Sequence, residues 1–540
     1  MKTNRFLIFA LLLLALVACT REEQPENQIA SGVITGLTED VYFEQVGQID
    51  SIGLVEHYEL LIQQTTENNA DDTAFLTYLQ EQLAAAEEYQ EDCINQSGAN
   101  WDTGEDGEGG KNRLLGYQYA SIRYKSINEK GEPVMLSTLV VWPYNNILSN
   151  PDPNNVVIGC HITITKNSER PTNYSKNSIK TDVGMLACAA KSNGLTSAYE
   201  NLVIIPDYQG YGATYDEVHP YLCQDLTARQ VLDGVRAGIK YYEDKQGKLE
   251  KDWRSLSMGY SQGGSVAMAV QRYVEQNDLN EEFRFAGAVC GDGPYDPIAT
   301  VKTYITTGEV YMPVAVALIM KGMCDTDPKL AGKYTPADFL TQKFLDTKII
   351  DMINAKDKST DDIGQVLLDY SLKYNTSDST TLCMYRKADK GQFFPYRKDT
   401  QGTHSWASGQ MSSYAKTSDL LRPEIIEWFN GNGPAESKDK FEALSSALKG
   451  NVLHHGWAPQ HPIFIVHSQG DEVVPIQNYD ACLNAWKGSS KVKGIRYKGV
   501  TQSHVNFGSY YYMIHAGMAT VAIFSNTTDV HFFDRTDVGI

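Results

Sequence analysis

Positive charge is in short supply in this chain. Its 540 residues carry 47 Lys and Arg against 67 Asp and Glu, a formal net charge of −20. Such a balance disfavours nucleic acid and anionic lipid surfaces as partners. Familiar metal spacings are missing too. No Cys-x-x-Cys and no His-Glu-x-x-His occurs, so no structural or catalytic metal is expected. The acidic, glycine-rich stretch 102–110 lacks the spacing and closing Glu of a calcium loop and reads as a solvated loop. After residue 18 no segment approaches 18 consecutive apolar residues, the length a helical membrane span needs. No internal repeat is evident. Of nine cysteines, Cys160, Cys188 and Cys290 lie in apolar segments, where a free thiol packs as a small hydrophobe. Cys93, Cys223, Cys324, Cys383 and Cys482 could pair in an oxidising compartment, with no connectivity derivable.

One apolar run does exist, at the start. Met1 to Arg5 is short and charged, and Phe6 to Ala18 is almost wholly apolar but too short to cross a bilayer as a helix. It ends Leu16-Val17-Ala18-Cys19, which resembles the lipobox of bacterial lipoprotein signal peptides. The resemblance implies cleavage before Cys19, lipidation of its thiol, and a polar tether after it. The expected location is the bacterial envelope, anchored to the outer membrane on its periplasmic face or at the cell surface. The 47 basic residues less Lys2 and Arg5 leave 45, so the mature balance is −22.

The most informative run is Gly259-Tyr260-Ser261-Gln262-Gly263-Gly264. It follows a strand-like segment, Trp253 to Met258, and opens a helix-like one at Ser265. Strand, Gly-x-Ser-x-Gly and helix in that order form a nucleophile elbow. The Ser must sit on a strained turn, and glycines two residues to each side let strand and helix approach. The helix N-terminus then aims N–H groups at a developing oxyanion.

Around the elbow the periodicity is that of a mainly parallel sheet. Tyr117–Tyr124 and Pro133–Trp142 alternate around Asn128-Glu129-Lys130-Gly131 and read as a hairpin. Val156–Ile162 and Leu202–Pro206 are continuous apolar runs, as in strands buried on both faces. Helical patterns fall at about Gly184–Ser192 and Leu226–Glu243. Further strands are expected at Phe283–Cys290, Pro462–His467 and Lys493–Lys498, with a last helix from about Gly508. The roughly 160 residues between Asp296 and His461 are too many for a connection and read as an inserted, mostly helical cap over the strand C-termini, where ligands bind in open α/β sheets. The expected division is a signal peptide over 1–18, a tether and extension over 19–111 carrying a helical patch near Thr73–Tyr89, a core over 112–296 and 456–540, and the cap over 297–455.

A serine nucleophile needs a His base and an orienting carboxylate, and on this kind of sheet the chain order is Ser, acid, His. His504 lies in a loop between the last strand and last helix and is the predicted base. His515 falls inside a helical run and His531 in the tail, and both are set aside. Two carboxylates follow strands, Asp292 and Asp471. Asp471 is preferred, because Gly470 suits a turn that presents it and Val473-Val474-Pro475 re-enters the fold. Asp292 is left to hydrogen-bond loops around the elbow, and Glu472 is taken as exposed. The N–H of Gln262 and a group in the loop after Val156–His161, with Thr163 named, are the expected oxyanion donors. No His-Gly-Gly-Gly run is present, so that loop differs from one common lipase type.

Residues 112–540 resemble the α/β-hydrolase superfamily, and within it secretory-lipase-like bacterial esterases. Pro206-Asp207-Tyr208-Gln209-Gly210-Tyr211-Gly212, His219-Pro220-Tyr221-Leu222 and Gly456-Trp457-Ala458-Pro459 carry the closer likeness. The resemblance implies an α/β-hydrolase fold, with helices on both faces of the sheet and the cap inserted before the acid-bearing strand. It also implies cleavage of small-molecule, lipid or sugar esters without a cofactor. The cap and extension depart from the group's pattern, and they decide substrate. A serine aminopeptidase-type activity on the same fold is the alternative. The propeller of oligopeptidases is excluded, since about 90 residues before the core cannot build blades of roughly 40 residues each. A third reading is a non-catalytic, surface-binding lipoprotein, against which an intact Ser, Asp and His argue.

Overall fold

The computed structural model describes residues 41–69, 73–97, 115–150, 152–179, 181–190, 200–374, 380–387, 393–395, 413–497, 504 and 509–526. The signal peptide with Cys19, the stretch 102–110, His531 and the neighbours of His504 in its loop lie outside the described residues.

A ten-stranded sheet organises the chain. Strands β1 (Phe43–Gln45) and β2 (Asp50–Gly53) lead into helices α1 (Leu54–Asn69) and α2 (Thr73–Ser97). The hairpin follows as β3 (Leu115–Ile127) and β4 (Pro133–Asn145), longer than the alternation alone marked out. Strands β5 (Asn155–Cys160), β6 (Asn201–Pro206), β7 (Arg254–Tyr260) and β8 (Phe285–Gly291) alternate with α3 (Asp182–Cys188), α4 (Gln224–Lys245) and α5 (Gln262–Gln276). After the insertion come β13 (Ile463–Ser468), β14 (Val492–Tyr497) and a last helix, Ser509–Phe524. The spatial order is β1-β3-β4-β6-β5-β7-β8-β13-β14, with β2 also on β3. From β6 to β14 every pairing is parallel. Strands β5, β6 and β13 are buried at every residue, as runs such as Val156-Val157-Ile158 and Ile463-Phe464-Ile465 require once helices cover both faces. This is the α/β-hydrolase fold.

The extension does not stand apart from this sheet. Strand β1 pairs with β3 at Tyr124 to Ile122, and β2 with β3 at Tyr119 to Gly116. Buried Ile52, Leu54 and Tyr58 pack in one cluster with Tyr117 and Tyr119. His57 Nδ1, Tyr117 and Tyr174 are linked through the two hydroxyls at 3.0 and 2.8 Å.

The described residues within 297–455 pack around an apolar cluster of their own, which includes the helix Pro313–Thr326 and also takes in Tyr221, Leu222 and Cys223 from the loop after β6. Besides helices the segment holds a small antiparallel sheet, β11-β10-β12-β9, built from β9 (Glu309–Val310), β10 (Met384–Lys387), β11 (Phe393–Pro395) and β12 (Ser413–Lys416). Strands of two to four residues are too short to show a period in sequence. The segment grips loops at the C-terminal ends of the core strands. Lys356 donates to the carbonyls of Tyr215 and Glu217 at 2.6 and 2.7 Å, and Thr165 Oγ1 donates to Lys358 O at 2.8 Å. All eight described cysteines are free thiols.

Candidate active site

The elbow is set by its glycines. A Cβ on Gly263 would overlap the Cys160 carbonyl oxygen, and one on Gly259 would overlap that oxygen too, so only hydrogen fits where β5, β7 and α5 converge. Ser261 takes φ 56° and ψ −124°. That left-handed backbone costs about 1–3 kcal/mol for a residue with a side chain, and its N–H is held by Gly291 O at 2.9 Å. The strain lifts the Ser261 side chain out of the strand and starts α5 at Gln262, whose N–H, in the first helical turn, has no partner within the helix.

Three side chains from separate loops meet there. His504 Nε2 lies 2.8 Å from Ser261 Oγ, and His504 Nδ1 lies 2.6 Å from Asp471 Oδ2. The Nδ1–H therefore donates to the carboxylate, and the Nε2 lone pair faces the hydroxyl. Asp471 Oδ1 accepts from the backbone of Val473 and Val474 at 2.8 and 2.7 Å. His504 and Asp471 are both buried. Burial pushes the His504 imidazole below its ordinary 6.5, against the opposing pull of Asp292 and Glu472. A neutral imidazole is the form that can accept a proton.

The carboxylate on His504 is thus that of Asp471, and Asp292 lies behind it. Asp292 is fully buried, takes φ 36°, and accepts from Tyr260 OH at 3.1 Å and from Ser468 N at 3.2 Å. Glu472 corrects an expectation. It is half-buried rather than exposed, and its carboxylate accepts the His504 backbone N–H at 3.2 Å. Burial, and then the charge of Asp471, push it up to about 7. An acidic residue next to a triad acid in sequence gives no sign of which way it faces, and here the turn folds it back onto the base. Asp292, His467 and Asp471 each offer a ligand atom within 4.8 Å of the others, as a cation would require. Both Asp471 oxygens are already engaged, and His467 Nε2 is 2.9 Å from the Val474 carbonyl, so the trio reads as the hydrogen-bond shell of the acid.

Thr163 is half-buried in the loop after β5, its hydroxyl 3.0 Å from that of Tyr221. The preceding N–H, of Ile162, is taken by Asp182 at 2.7 Å. Gln262 is buried, and its side-chain amide is 3.2 Å from His219 Nε2. His219, pushed down to about 3 by burial, bonds through Nδ1 to Gln209 O at 2.9 Å. Its ring therefore presents Nε2 as an acceptor to the Gln262 amide. Spacing offered no signal for His219 or Tyr221, although both fall in a run noted for its resemblance. The Pro-Asp-Tyr loop is a clamp: Asp207 accepts from Ser137 Oγ at 2.5 Å and Thr172 Oγ1 at 2.6 Å, and Tyr208 stacks on His161 at 4.0 Å. Trp457 Nε1 donates to the buried Glu275 at 2.7 Å and moors the approach to β13 onto α5. His515 bonds to the Tyr497 hydroxyl from within the last helix.

Sheet order, elbow and strand-end loops together are those of the α/β-hydrolase fold. A sequence model of the secretory lipase family matches residues 175–349. The rice cell wall degrading esterase LipA from Xanthomonas oryzae is similar in structure, with 19% identity and a TM-score of 0.52 over 76% of this chain and 91% of that one. An inferred hydrolase from Legionella pneumophila is 14% identical, with a TM-score of 0.56 over 90% and 99% of the two chains. Candida antarctica lipase A is 16% identical, with a TM-score of 0.50 over 78% and 81%. No curated protein sequence matches the chain.

Proposed function

We propose that the chain is a serine hydrolase that cleaves carboxylic esters through an acyl-enzyme on Ser261. The observation that carries this reading is the unbroken line Ser261 Oγ, His504 and Asp471, with contacts of 2.8 and 2.6 Å. His504 takes the Ser261 proton as Oγ attacks the ester carbonyl, then returns it to the leaving alcohol. Asp471 holds the imidazole in the required tautomer and faces the imidazolium that forms. The N–H of Gln262, with a group of Thr163, receives the oxyanion. Water, deprotonated by His504, then frees the acid. No cofactor takes part. The secretory lipase match and the likeness to an esterase and a lipase support ester over amide substrates. The division into core and cap belongs to the same reading: residues 297–455 shape the acyl pocket over the elbow, and Cys19 carries the lipid that anchors the mature chain in the envelope.

The test is turnover of p-nitrophenyl esters of graded chain length beside aminoacyl p-nitroanilides. Ester turnover is expected, falling by roughly 10⁴–10⁶ in Ser261→Ala and about as far in His504→Ala, with Asp471→Asn losing the same or less. Anilide turnover without ester turnover would make the chain a peptidase. Full ester turnover by a folded Ser261→Ala protein would remove the mechanism.

A further inference from the structure

Segment 219–221, between β6 and α4, touches both residues assigned to the oxyanion. On one side His219 Nε2 lies 3.2 Å from the side-chain amide of Gln262, the residue after the nucleophile. On the other, the Tyr221 hydroxyl lies 3.0 Å from Thr163 Oγ1. Among the described residues neither the Gln262 nor the Thr163 N–H meets an acceptor, so both are left for another partner. The His219 ring can hold Gln262 in one way only. Nδ1 lies 2.9 Å from the Gln209 carbonyl, which can only accept, so Nδ1 carries the hydrogen. Nε2 is left with a lone pair, and the NH2 end of the amide must face it. The other end of that amide, Oε1, is buried without a partner, so His219 is the sole polar anchor of the Gln262 side chain among the described residues. Burial pushes the ring down to about 3, which keeps it neutral and the lone pair free. The segment is itself pinned. Gly210 takes φ 94°, and a Cβ there would come within 2.9 Å of His219 Cα, so the loop doubles back tightly on His219. The Tyr211 ring meets the His219 ring edge-on at 5.0 Å. From the cap, the helix Pro313–Thr326 lies against Tyr221: a Cβ on Gly322 would come 2.7 Å from the Tyr221 carbonyl oxygen. Tyr221 is also part of the cap's apolar cluster.

We propose that His219 and Tyr221 are positioning residues for the oxyanion donors: His219 holds the Gln262 side chain, and with it the N–H after the nucleophile, while Tyr221 holds Thr163, so that one segment sets the distance between the two donors. This rests on the serine-hydrolase reading. Donors help only when they already point at the place where charge develops. Gln262 follows the strained turn at Ser261 and opens α5, where no preceding helical turn restrains it. Fixing its side chain fixes its own backbone rotation, and therefore the aim of its N–H. Thr163 lies outside any strand or helix and needs the same help. Because Tyr221 is also packed against the cap helix, the cap reaches the oxyanion donors through this segment.

The experiment uses the full-length protein, after ester turnover and its loss in Ser261→Ala have been established. Full turnover in Ser261→Ala would overturn the serine-hydrolase reading and this proposal with it; every other outcome bears on the proposal alone. The variants keep both backbone N–H donors: His219→Leu removes the acceptor, Gln262→Met removes the amide, and Tyr221→Phe removes the hydroxyl. His219→Leu and Gln262→Met should each lose roughly 10- to 30-fold in kcat with KM within about threefold, a fraction of the roughly 10²–10³ lost with a whole donor. The double variant should lose no more than either alone, because the two residues act through one bond. His219→Gln, which can offer an oxygen to the Gln262 amide, should recover most of the loss. Tyr221→Phe should lose roughly 5- to 10-fold in kcat. Inhibition by a phenyl trifluoromethyl ketone, whose adduct on Ser261 carries an oxyanion, should weaken by the same factor as kcat in each variant. The acid limb of kcat/KM should stay within about 0.3 pH unit of wild type, since His504 is untouched. Wild-type kcat and ketone inhibition in folded His219→Leu or in Tyr221→Phe would overturn the proposal. So would additive losses in the double variant, or a fall in kcat with ketone inhibition unchanged. If His219→Leu fails to fold by circular dichroism, Gln262→Met and Tyr221→Phe decide.

Discussion

Glu472 carries a stability effect whose size depends on pH. Its carboxyl lies beside Asp471 and accepts the His504 N–H, and burial raises it from an ordinary 4.5 to about 7. A raised value means that the folded chain binds this proton more tightly than the unfolded one. The contribution to stability is fully present below about 4.5 and is lost as pH rises through about 7. About 2.5 units at about 1.4 kcal/mol each gives an upper figure of about 3.5 kcal/mol. Partial solvent access reduces this to roughly 1–2 kcal/mol. Glu472→Gln keeps a carbonyl oxygen for the His504 N–H and removes the charge. Wild type and variant should melt alike at pH 5, and the variant should be the more stable by roughly 1–2 kcal/mol at pH 8.5, or about 1–3 °C. Thermal unfolding followed by circular dichroism from pH 5 to 9 measures both ends. A variant less stable at pH 8.5, or a gap of equal size at pH 5 and pH 8.5, refutes the reasoning.

Other positions give separate tests. Gly263→Ala places a methyl against the Cys160 carbonyl, so ester turnover should drop at least about 100-fold and soluble yield should fall; near-normal values of both would show that the elbow has room. Tyr304→Phe removes the hydroxyl on Val473 O and should cost about 1–2 kcal/mol with kcat reduced more than KM; an unchanged melt and kcat would show that the cap does not support the acid loop. Cys19→Ser should abolish incorporation of labelled fatty acid and release the protein from the membrane fraction, and label retained on the variant sinks the anchor.

The parallel strands were legible because each is a continuous apolar run bounded by turns, and burial on both faces leaves no other use for such a run. The elbow was legible for a different reason, since a strained turn tolerates so few residue types. Ser261, Asp471 and His504 were named from chain order and strand-end position, and these side chains lie in hydrogen-bond contact. What stayed hidden depended on contacts distant in sequence. Strands β1 and β2 have three and four residues, and only pairing with β3 gives them their role. The cap sheet is assembled from fragments spread over more than a hundred residues. Glu472 was misread because exposure follows from how the turn after Gly470 folds back on His504. The weighing of Asp292 against Asp471 was a choice between two buried carboxyls. Their closeness, within 4.8 Å of each other, leaves no trace in composition or period.

The position of β13 bears on when this protein becomes an enzyme. The strand lies between β8 and β14, yet more than 170 residues separate its start from the end of β8. During synthesis β8 is left as an open sheet edge while the whole inserted segment is made, and contacts of such long sequence separation form slowly. Ser261 emerges well ahead of Asp471 and His504, which follow it by 210 and 243 residues. Under the proposed mechanism a partly made chain holds a nucleophile with no base, and reactivity towards esters waits until β13 and β14 close on β8. On that mechanism truncation anywhere before residue 504 should leave an inert protein, so the chain's own topology delays its chemistry until the late strands have paired.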